Sequence, residues 1–415
     1  MMRLVLTAAV GAALSGAAAL VVPDQHQIPL GASPDGGPAS PWLDSLSSGV
    51  ASLVGHALDG VAGTVEAAQE LASALGGGDH DDRRGTIYEL VRGCGHTSRF
   101  ADLVDGYPDL VKLLNSTRAD HTLFVPTNEA FRHLPGHGHG DKPSKEFVES
   151  LLRYHVGLGR YPAVRILHTH TLPTALHEEH LGGEPQRLRT SIGFHGVEVN
   201  FYSTVVAADI KASNGIIHAV NHILVPPLRA GRTLALFPAQ FSTLLLAYEK
   251  TDFVKYIRGV NLVGSTILAP SNYAFKRLGV RANAFLFNTE TGHRYLRALL
   301  KYHIVPNATL YTDSYYDKTH SDRQQPGAEG LKRRHYELPT LLGDAHVAVD
   351  VVSFGSLAAI RINGFAHISI RDGVAKDGVI QVLDQVLMPP CKRGGPEHGG
   401  NVDVEDLKTR LEPYL

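Results

Sequence analysis

Three short stretches of the sequence hold the residue types of a metal centre, and its 23 histidines make metal chemistry the first possibility to weigh. His177-Glu178-Glu179-His180 sets two imidazoles around two carboxylates. A zinc hydrolase needs His-Glu-x-x-His, because only a spacing of four puts both imidazoles on one helix face. Here the second His comes one position too early, and the surrounding LPTALHEEHLGG is too short for a long active-site helix. Gly136 to Asp141 (GHGHGD) and the run from His168 (HTHT) could catch a metal adventitiously, although ordering the glycine-rich stretch would cost affinity. Glu178 and Glu179 are paired carboxylates, yet neighbours in sequence point to different faces and do not flank one scissile bond. Gly-x-Ser-x-Gly, Gly-x-Gly-x-x-Gly and Walker patterns are missing, and neither Cys94 nor Cys391 sits in a nucleophile context. No catalytic, cofactor-binding or metal-binding residue is therefore assigned, no cofactor is implied, and the chain is read as a non-enzyme. A metal-dependent hydrolase built on His177 and His180 stays as an alternative.

The second kind of chemistry is recognition. Tyr154-His155 and Tyr302-His303 each follow an apolar Leu-Leu pair, which places each imidazole at a helix end. There it serves either as a hydrogen-bonded packing group or as a contact for a partner.

Composition narrows the partners. The 415 residues are too many for one core and suggest at least two domains. With 19% charged and 43% hydrophobic residues the chain is globular, and a net charge of −2 without a basic stripe argues against nucleic acid. The cluster Lys332 to His335 (KRRH) sits in a polar insertion and is expected to be a solvated loop. At the start, Arg3, a short apolar run and Ala17 to Ala19 predict a signal peptide over 1–19. No later stretch is long and apolar enough for a membrane span. Export is thus expected, to the exterior and the cell wall, with the vacuole as an alternative. In that compartment Asn115 and Asn307 are glycosylation candidates, and Cys94 and Cys391 either pair or both stay free.

These side chains must be positioned by something, and the chain states that something twice. TLFVPTNEAF from Thr122 returns as TILAPSNYAF from Thr266. FADLVDGYPDLVKLL from Phe100 returns from Phe241, Tyr154-His155 at Tyr302-His303, LPTAL at LPTLL, and NGIIHAVNHILVPP from Asn214 at DGVIQVLDQVLMPP from Asp377. In each unit a β-rich run stops at Pro126 or Pro270, and Thr127 or Ser271 caps a following helix that starts, in the first copy, at Asn128. Phe131 and Phe275 anchor those helices. Asn214-Gly215 and Asp377-Gly378 are turn signals, the first feeding an alternation through Ile216, His218, Val220, His222 and Leu224 that reads as a strand. Helices gather early in each unit and strands late, which predicts an α+β fold. The second copy's excess, DSYYDKTHSDRQQPGAEGLKRRH, reads as a loop. The remaining layout is a disordered 20–41, an amphipathic helical segment over 42–75 bearing only acidic charges, a linker over 76–85, domains over 86–228 and 233–390, and a tail with a short helix over 391–415.

Taken in order, these motifs resemble the fasciclin (FAS1) family, as tandem domains similar to secreted two-domain fungal members. The resemblance implies a β-wedge packed against helices in each unit. It implies a non-catalytic role in adhesion or matrix association, with cell-surface or matrix proteins or wall polysaccharide as partners. It also marks Tyr154, His155, Tyr302, His303 and the pair Asp209-Ile210 as partner-contact or fold-motif residues; the second unit has Ser369-Ile370 and then Arg371-Asp372 where the pair would fall. A carrier of a small apolar or carbohydrate ligand is the other reading these residues allow.

Overall fold

The computed structural model describes residues 70–71, 73–75, 85–133, 143–193, 196–317, 321–322, 332–354, 357–390 and 402–415. The signal peptide, the 20–41 stretch, most of the 42–75 segment, the linker up to Gly85, the GHGHGD run and Cys391 lie outside the described residues.

In the first domain, helices α1 (Ile87–Gly93), α2 (Ser98–Asp105), α3 (Pro108–Asn115), α4 (Lys145–Tyr154) and α5 (Ala163–Ile166) accompany seven strands. These are β1 (His121–Pro126), β2 (Val156–Leu158), β3 (Thr171–His177), β4 (Pro185–Gly193), β5 (Gly196–Val199), β6 (Ser203–Ala212) and β7 (Gly215–Val220). Local chemistry starts the helices. Thr86 and Glu89 form a reciprocal capping box on α1, Pro108 takes the first position of α3, and the Ser144 hydroxyl accepts from Phe147 N–H to cap α4.

The seven strands close into a barrel in sequence order, antiparallel throughout except where β7 returns parallel to β1. That parallel pair is buried on both faces. Leu123, Val125, Ile217 and Ala219 face a core shared with Phe100, Val104, Leu110 and Leu114 of the helices. Phe124 and Val220 face the barrel interior with Tyr154, Leu172 and Leu188. The expected one-sided alternation is therefore corrected: β7 ends at Val220, and His222 and Leu224 lie beyond it. A strand sandwiched between helices and barrel has no solvent face to alternate against.

The second domain repeats the plan with α6 (Ala230–Ala235), α7 (Pro238–Lys250), α8 (Phe253–Arg258), β8 (Ser265–Pro270), α9 (Asn272–Leu278), α10 (Val280–Asn288), α11 (Glu290–Tyr302) and β9 (Ile304–Pro306). Then come β10 (Ala308–Leu310), β11 (Tyr315–Asp317), β12 (Ser321–Asp322), β13 (Lys332–Pro339), β14 (His346–Phe354), β15 (Leu357–Ile362), β16 (Ala366–Ala375) and β17 (Gly378–Leu383), with α12 (Val404–Leu411) last. The sheet order β13-β14-β15-β16-β17-β8-β9 matches the first domain's barrel, but the β2–β3 pairing at Gly157 and Thr174 is replaced by a single bond from Leu341 N–H to Ile304 C=O. One barrel is closed and its twin is open at that seam.

Three expectations on local structure change. The second copy's insertion is not all loop: β11 and β12 lie within it and pair, next to the preceding β10, in a small antiparallel sheet. The KRRH cluster is strand, running from Lys332 into β13 and paired with β14. Its alternation is real but disguised, because the inward positions are the long-stemmed Arg334 and Tyr336, and Tyr336 lies 5.1 Å from Tyr315 ring to ring. After Pro126 the helix from Asn128 is a 3₁₀ turn, whereas Ser271 caps an α-helix through Ala274 N–H as expected.

The two Asx-Gly turns are set by close approach. Gly215 has φ +156°, and a Cβ there would stand 2.0 Å from the His121 carbonyl oxygen; Gly378, at φ +153°, would meet the Ser265 carbonyl oxygen at 2.1 Å. The Asx before each glycine caps a helix across the chain. Asn214 accepts from Ile87 N–H and donates to Leu114 C=O, and Asp377 accepts from Ala230 N–H. Gly215→Ala and Gly378→Ala are each expected to cost about 2–3 kcal/mol through a strained backbone and displaced β1 or β8. Urea midpoints report this; an unchanged midpoint in both variants removes the close-approach explanation.

Both domains carry an added helix. Leu71 and Leu75, the described end of the amphipathic segment, pack into the first domain's helix-side core. Leu407 and Leu411 of α12 pack into the second domain's core, so that core reaches past the expected boundary at 390.

Candidate functional site

The Tyr-His pairs fall at equivalent places, at the C-terminal ends of α4 and α11. Tyr154, His155 and Tyr302 are 0% exposed and His303 3%. His155 Nδ1 lies 2.8 Å from Leu151 C=O, one turn back, and its Nε2 accepts from Leu224 N–H at 2.9 Å. His303 does the same with Leu299 C=O at 2.7 Å and Leu387 N–H at 2.9 Å. Because Nε2 accepts, the proton sits on Nδ1 and both imidazoles are neutral. Burial pushes each down to about 4. Each His thus ties a helix end to the segment that follows the last strand, which explains why Tyr-His and ILVPP or VLMPP recur together.

The tyrosines repeat the logic one layer deeper. Tyr154 donates to Arg187 C=O and accepts from Asn200 Nδ2; Tyr302 donates to His346 C=O and accepts from Asn363 Nδ2. Asn200 and Asn363 hold φ of 53° and 52° at matching turns, a left-handed conformation that asparagine tolerates. Sequence reasoning missed both asparagines. Burial raises Tyr154 well above the phenol range and pushes Tyr302 up to about 12.

Asp209 and Ile210 sit at a bulge in β6. Asp209 is exposed with φ 61°, accepts from Ala163 N–H at 2.7 Å and donates its own N–H to His218 Nδ1; Ile210 is buried. The matching bulge in β16 holds Asp372 at φ 58°, which accepts from Thr312 N–H at 2.8 Å. The second unit therefore keeps the aspartate but not the Asp-Ile pair, with Gly373 where Ile210 stands. Gln381 takes the part of His218: each binds the bulge N–H, and His218 donates to Tyr161 C=O after β2 while Gln381 donates to Leu310 C=O at the end of β10. The repeated Asn128 and Asn272 also have a use the sequence left unread, since each accepts from a helix N–H (Arg99, Thr243) and donates to a nearby carbonyl (Gly95, Ala239).

A second cluster joins the two domains. The Asp313 carboxylate, from the second unit's insertion, accepts from His170 N–H at 2.9 Å, Thr171 N–H at 2.8 Å and the Thr171 hydroxyl. Arg187 donates through Nε to Thr171 Oγ1, through Nη2 to Thr171 C=O and through Nη1 to Tyr316 Oη, with Asp313 3.8 Å away. It also lies over the rings of Tyr311 and Tyr316. Around this centre Gln186 donates to Ala375 C=O, Arg189 to Arg371 C=O, Lys376 N–H to Leu228 C=O and Gly264 N–H to His180 C=O. The unusual length of the second insertion was the sequence signal for this junction; the partners of Asp313 were not legible.

The His177 to His180 run ends β3 and enters a 3₁₀ turn. His177 Nδ1 faces Gly183 C=O, His180 Nε2 faces Arg229 Nη2, and Glu178 lies 3.9 Å from Lys376. Burial raises the Glu178 carboxyl. Among the described residues, no group of three or more His, Cys, Asp or Glu side chains is placed to hold a metal ion. Cys94 is buried at the C-terminal cap of α1. Asn115 ends α3 with its Oδ1 accepting from Thr86, and Asn307 has φ 56° with its Oδ1 accepting from Val263 N–H.

Comparison with known proteins now bears on this geometry. The fasciclin domain model matches residues 95–226 and 239–389. The chain is 30% identical over 358 residues to aurofusarin biosynthesis cluster protein S of Gibberella zeae, covering 80% of this chain and 86% of that protein. It is 26% identical over 290 residues to transforming growth factor-beta-induced protein ig-h3 of Sus scrofa, covering 68% of this chain but 37% of that protein. Among solved structures, a FAS1 domain pair from the insect cell adhesion molecule fasciclin I matches with a TM-score of 0.33 at 17% identity, covering 71% of this chain and 97% of that one.

Proposed function

This chain belongs to the fasciclin family, and from that premise we propose that it is an exported, non-enzymatic binding protein of the adhesion or matrix class. Its partners are cell-surface or matrix proteins, cell-wall polysaccharide, or both, met outside the cell. The observation that carries this reading is the use made of the family motifs. Tyr154, His155, Tyr302 and His303 are buried with their polar atoms engaged in hydrogen bonds, so their contribution is to shape the surfaces above them rather than to touch a partner. Asp209 is the exposed member of the set and the one positioned for direct contact. Two linked domains gain avidity when both engage the same polymer or surface, because the second contact is made at high effective concentration.

Among the described residues no helix is long and apolar enough to cross a membrane. The exported form carries glycans on Asn115 and Asn307 in this reading, and enzymatic deglycosylation of the secreted protein lowers its mass. The decisive experiment exposes mature, glycosylated protein to panels of wall polysaccharides and surface proteins. Retention on either supports the proposal, and silence on both rejects it.

A second reading has its own support. One relative, covered over 86% of its length, is a biosynthesis cluster protein, whereas transforming growth factor-beta-induced protein ig-h3 is covered over 37% of its length. That favours a non-catalytic carrier of a small apolar product. Mass spectrometry of small molecules co-purifying with the secreted chain distinguishes the two, since a carrier brings a stoichiometric passenger and an adhesion module brings none.

A further inference from the structure

The two domains share a fold but not a charge pattern, and the difference is concentrated on one helix face. Counting back from the tyrosine of each Tyr-His pair, α11 places Arg294, Arg297 and Lys301 where α4 has Glu146, Glu149 and Arg153. In α4 the three carry a net negative charge, with Arg153 bonded to Glu149 at 2.8 Å. In α11 all three are cations, one turn apart along a single stripe. Because α4 supports the same Tyr-His centre with carboxylates at the first two of these positions, that centre does not account for the charges of Arg294 and Arg297.

Their surroundings sharpen the point. Arg297 and Lys301 both lie over the ring of Tyr256 in α8, at 5.1 and 4.8 Å from its centre. Tyr256 is half-buried, and Arg294, one turn before Arg297 on the same stripe, and Arg258, two residues after Tyr256, are exposed. Among the described residues none of these four cations has a carboxylate within ion-pairing distance. The nearby carboxylate Asp252 is ion-paired to Lys255 instead, and Glu290, one turn before Arg294, makes no bridge to it. Burial lowers the Lys301 ammonium, and the charge of Arg297 lowers it further. Like charges held together on an aromatic ring, whose nearby carboxylate, Asp252, is already ion-paired to Lys255 and only weakly felt by Arg297, form a site for an anion from outside.

We propose that this face of the second domain binds an acidic polysaccharide carrying one carboxylate per sugar. The helix sets the spacing: at 1.5 Å rise per residue, Arg294, Arg297 and Lys301 stand about 4.5 and 6 Å apart along the axis. That is the scale of one sugar ring, so successive carboxylates of an extended polyuronate meet successive cations. Guanidinium groups match carboxylates in a two-pronged geometry, and the rigid aromatic platform limits the ordering cost. The proposal rests on the reading of the chain as an envelope-binding protein and specifies where and by what chemistry it binds.

The test uses the full chain with polygalacturonate as probe, and with a neutral β-glucan, polyphosphate and anionic phospholipid vesicles as comparators. Wild-type protein is expected to bind polygalacturonate with an affinity that falls as salt rises. Arg297→Gln/Lys301→Gln is expected to weaken it about tenfold or more through the loss of two charge-assisted contacts, and to flatten the salt dependence. Glu146→Gln/Glu149→Gln in the first domain leaves it unchanged, and an unaltered thermal midpoint shows that each variant is folded. Equal binding by wild type and the α11 variant overturns the proposal, as does tighter binding to polyphosphate or vesicles than to polygalacturonate. Binding to the neutral glucan alone, or to none of the probes, overturns this site but not the envelope-binding reading, which stands or falls with the panels of wall polysaccharides and surface proteins.

Discussion

Taking the protein from pH 7 to pH 4 is expected to remove on the order of 3 kcal/mol of stability for each of His155 and His303. In the folded chain each imidazole is neutral, with its titration pushed down to about 4 from an ordinary value of 6.5. The unfolded chain therefore binds the extra proton first. Stability is complete above pH 6.5, declines as pH falls toward 4, and levels off once the folded form is protonated too. Protonation in place would put a second hydrogen on Nε2, facing the N–H of Leu224 or Leu387, so the helix end and the last segment must separate. His121, His170 and His218 are lowered by burial and add to the same trend. His335, held between Asp350 and Glu337, is raised and acts in the opposite sense: its contribution is present at low pH and is lost as pH rises through its elevated value. Urea denaturation at pH 7, 5.5 and 4.5 measures the slope. His155→Ala or His303→Ala is expected to cost about 3 kcal/mol at pH 7, from a cavity and buried backbone groups left without partners, and to remove that residue's share of the slope. Equal stability of wild type at pH 7 and pH 4.5 would contradict the assignment of both centres.

Asp313→Ala is expected to cost about 3–5 kcal/mol, because it leaves Arg187 buried with its nearby counter-charge gone and removes the acceptor of three donors from the first domain. The readout that separates this from ordinary core damage is the relation between the domains. Wild type should unfold in one transition and give the radius of gyration of a rigid pair in X-ray scattering. The variant should show an enlarged radius and a separate transition for each domain. Arg187→Met/Asp313→Leu, which removes both charges together, should recover the share due to the unpaired guanidinium but not the share due to the His170 and Thr171 donors left without an acceptor. An Asp313→Ala protein with unchanged radius and midpoint would mean that apolar packing alone joins the domains.

How the chain divides between sequence and tertiary control follows from the range of each interaction. Caps at Thr86, Ser144 and Ser271, proline stops at Pro126 and Pro270, and the Asx-Gly turns act within a few residues, so their residue types announce them. Duplication multiplied the signal: each motif was legible because its twin repeated the same local chemistry, and the α+β order of helices and strands followed. Where polar side chains were the informative residues, the reading weakened. KRRH became strand because Arg334 and Tyr336 could point inward against partners far away in sequence.

The sequence by itself determined that there are two units of one α+β fold, where their turns fall, and that Tyr-His ends a helix in each. Only the tertiary structure decided that these histidines bridge to Leu224 and Leu387, that Asp372 answers Asp209, that one barrel closes while the other stays open, and that Asp313 locks onto Arg187 and Thr171. The physical reason is that a hydrogen bond is specified by two groups meeting in space. When those groups lie tens to more than a hundred residues apart, neither one's neighbours record the other.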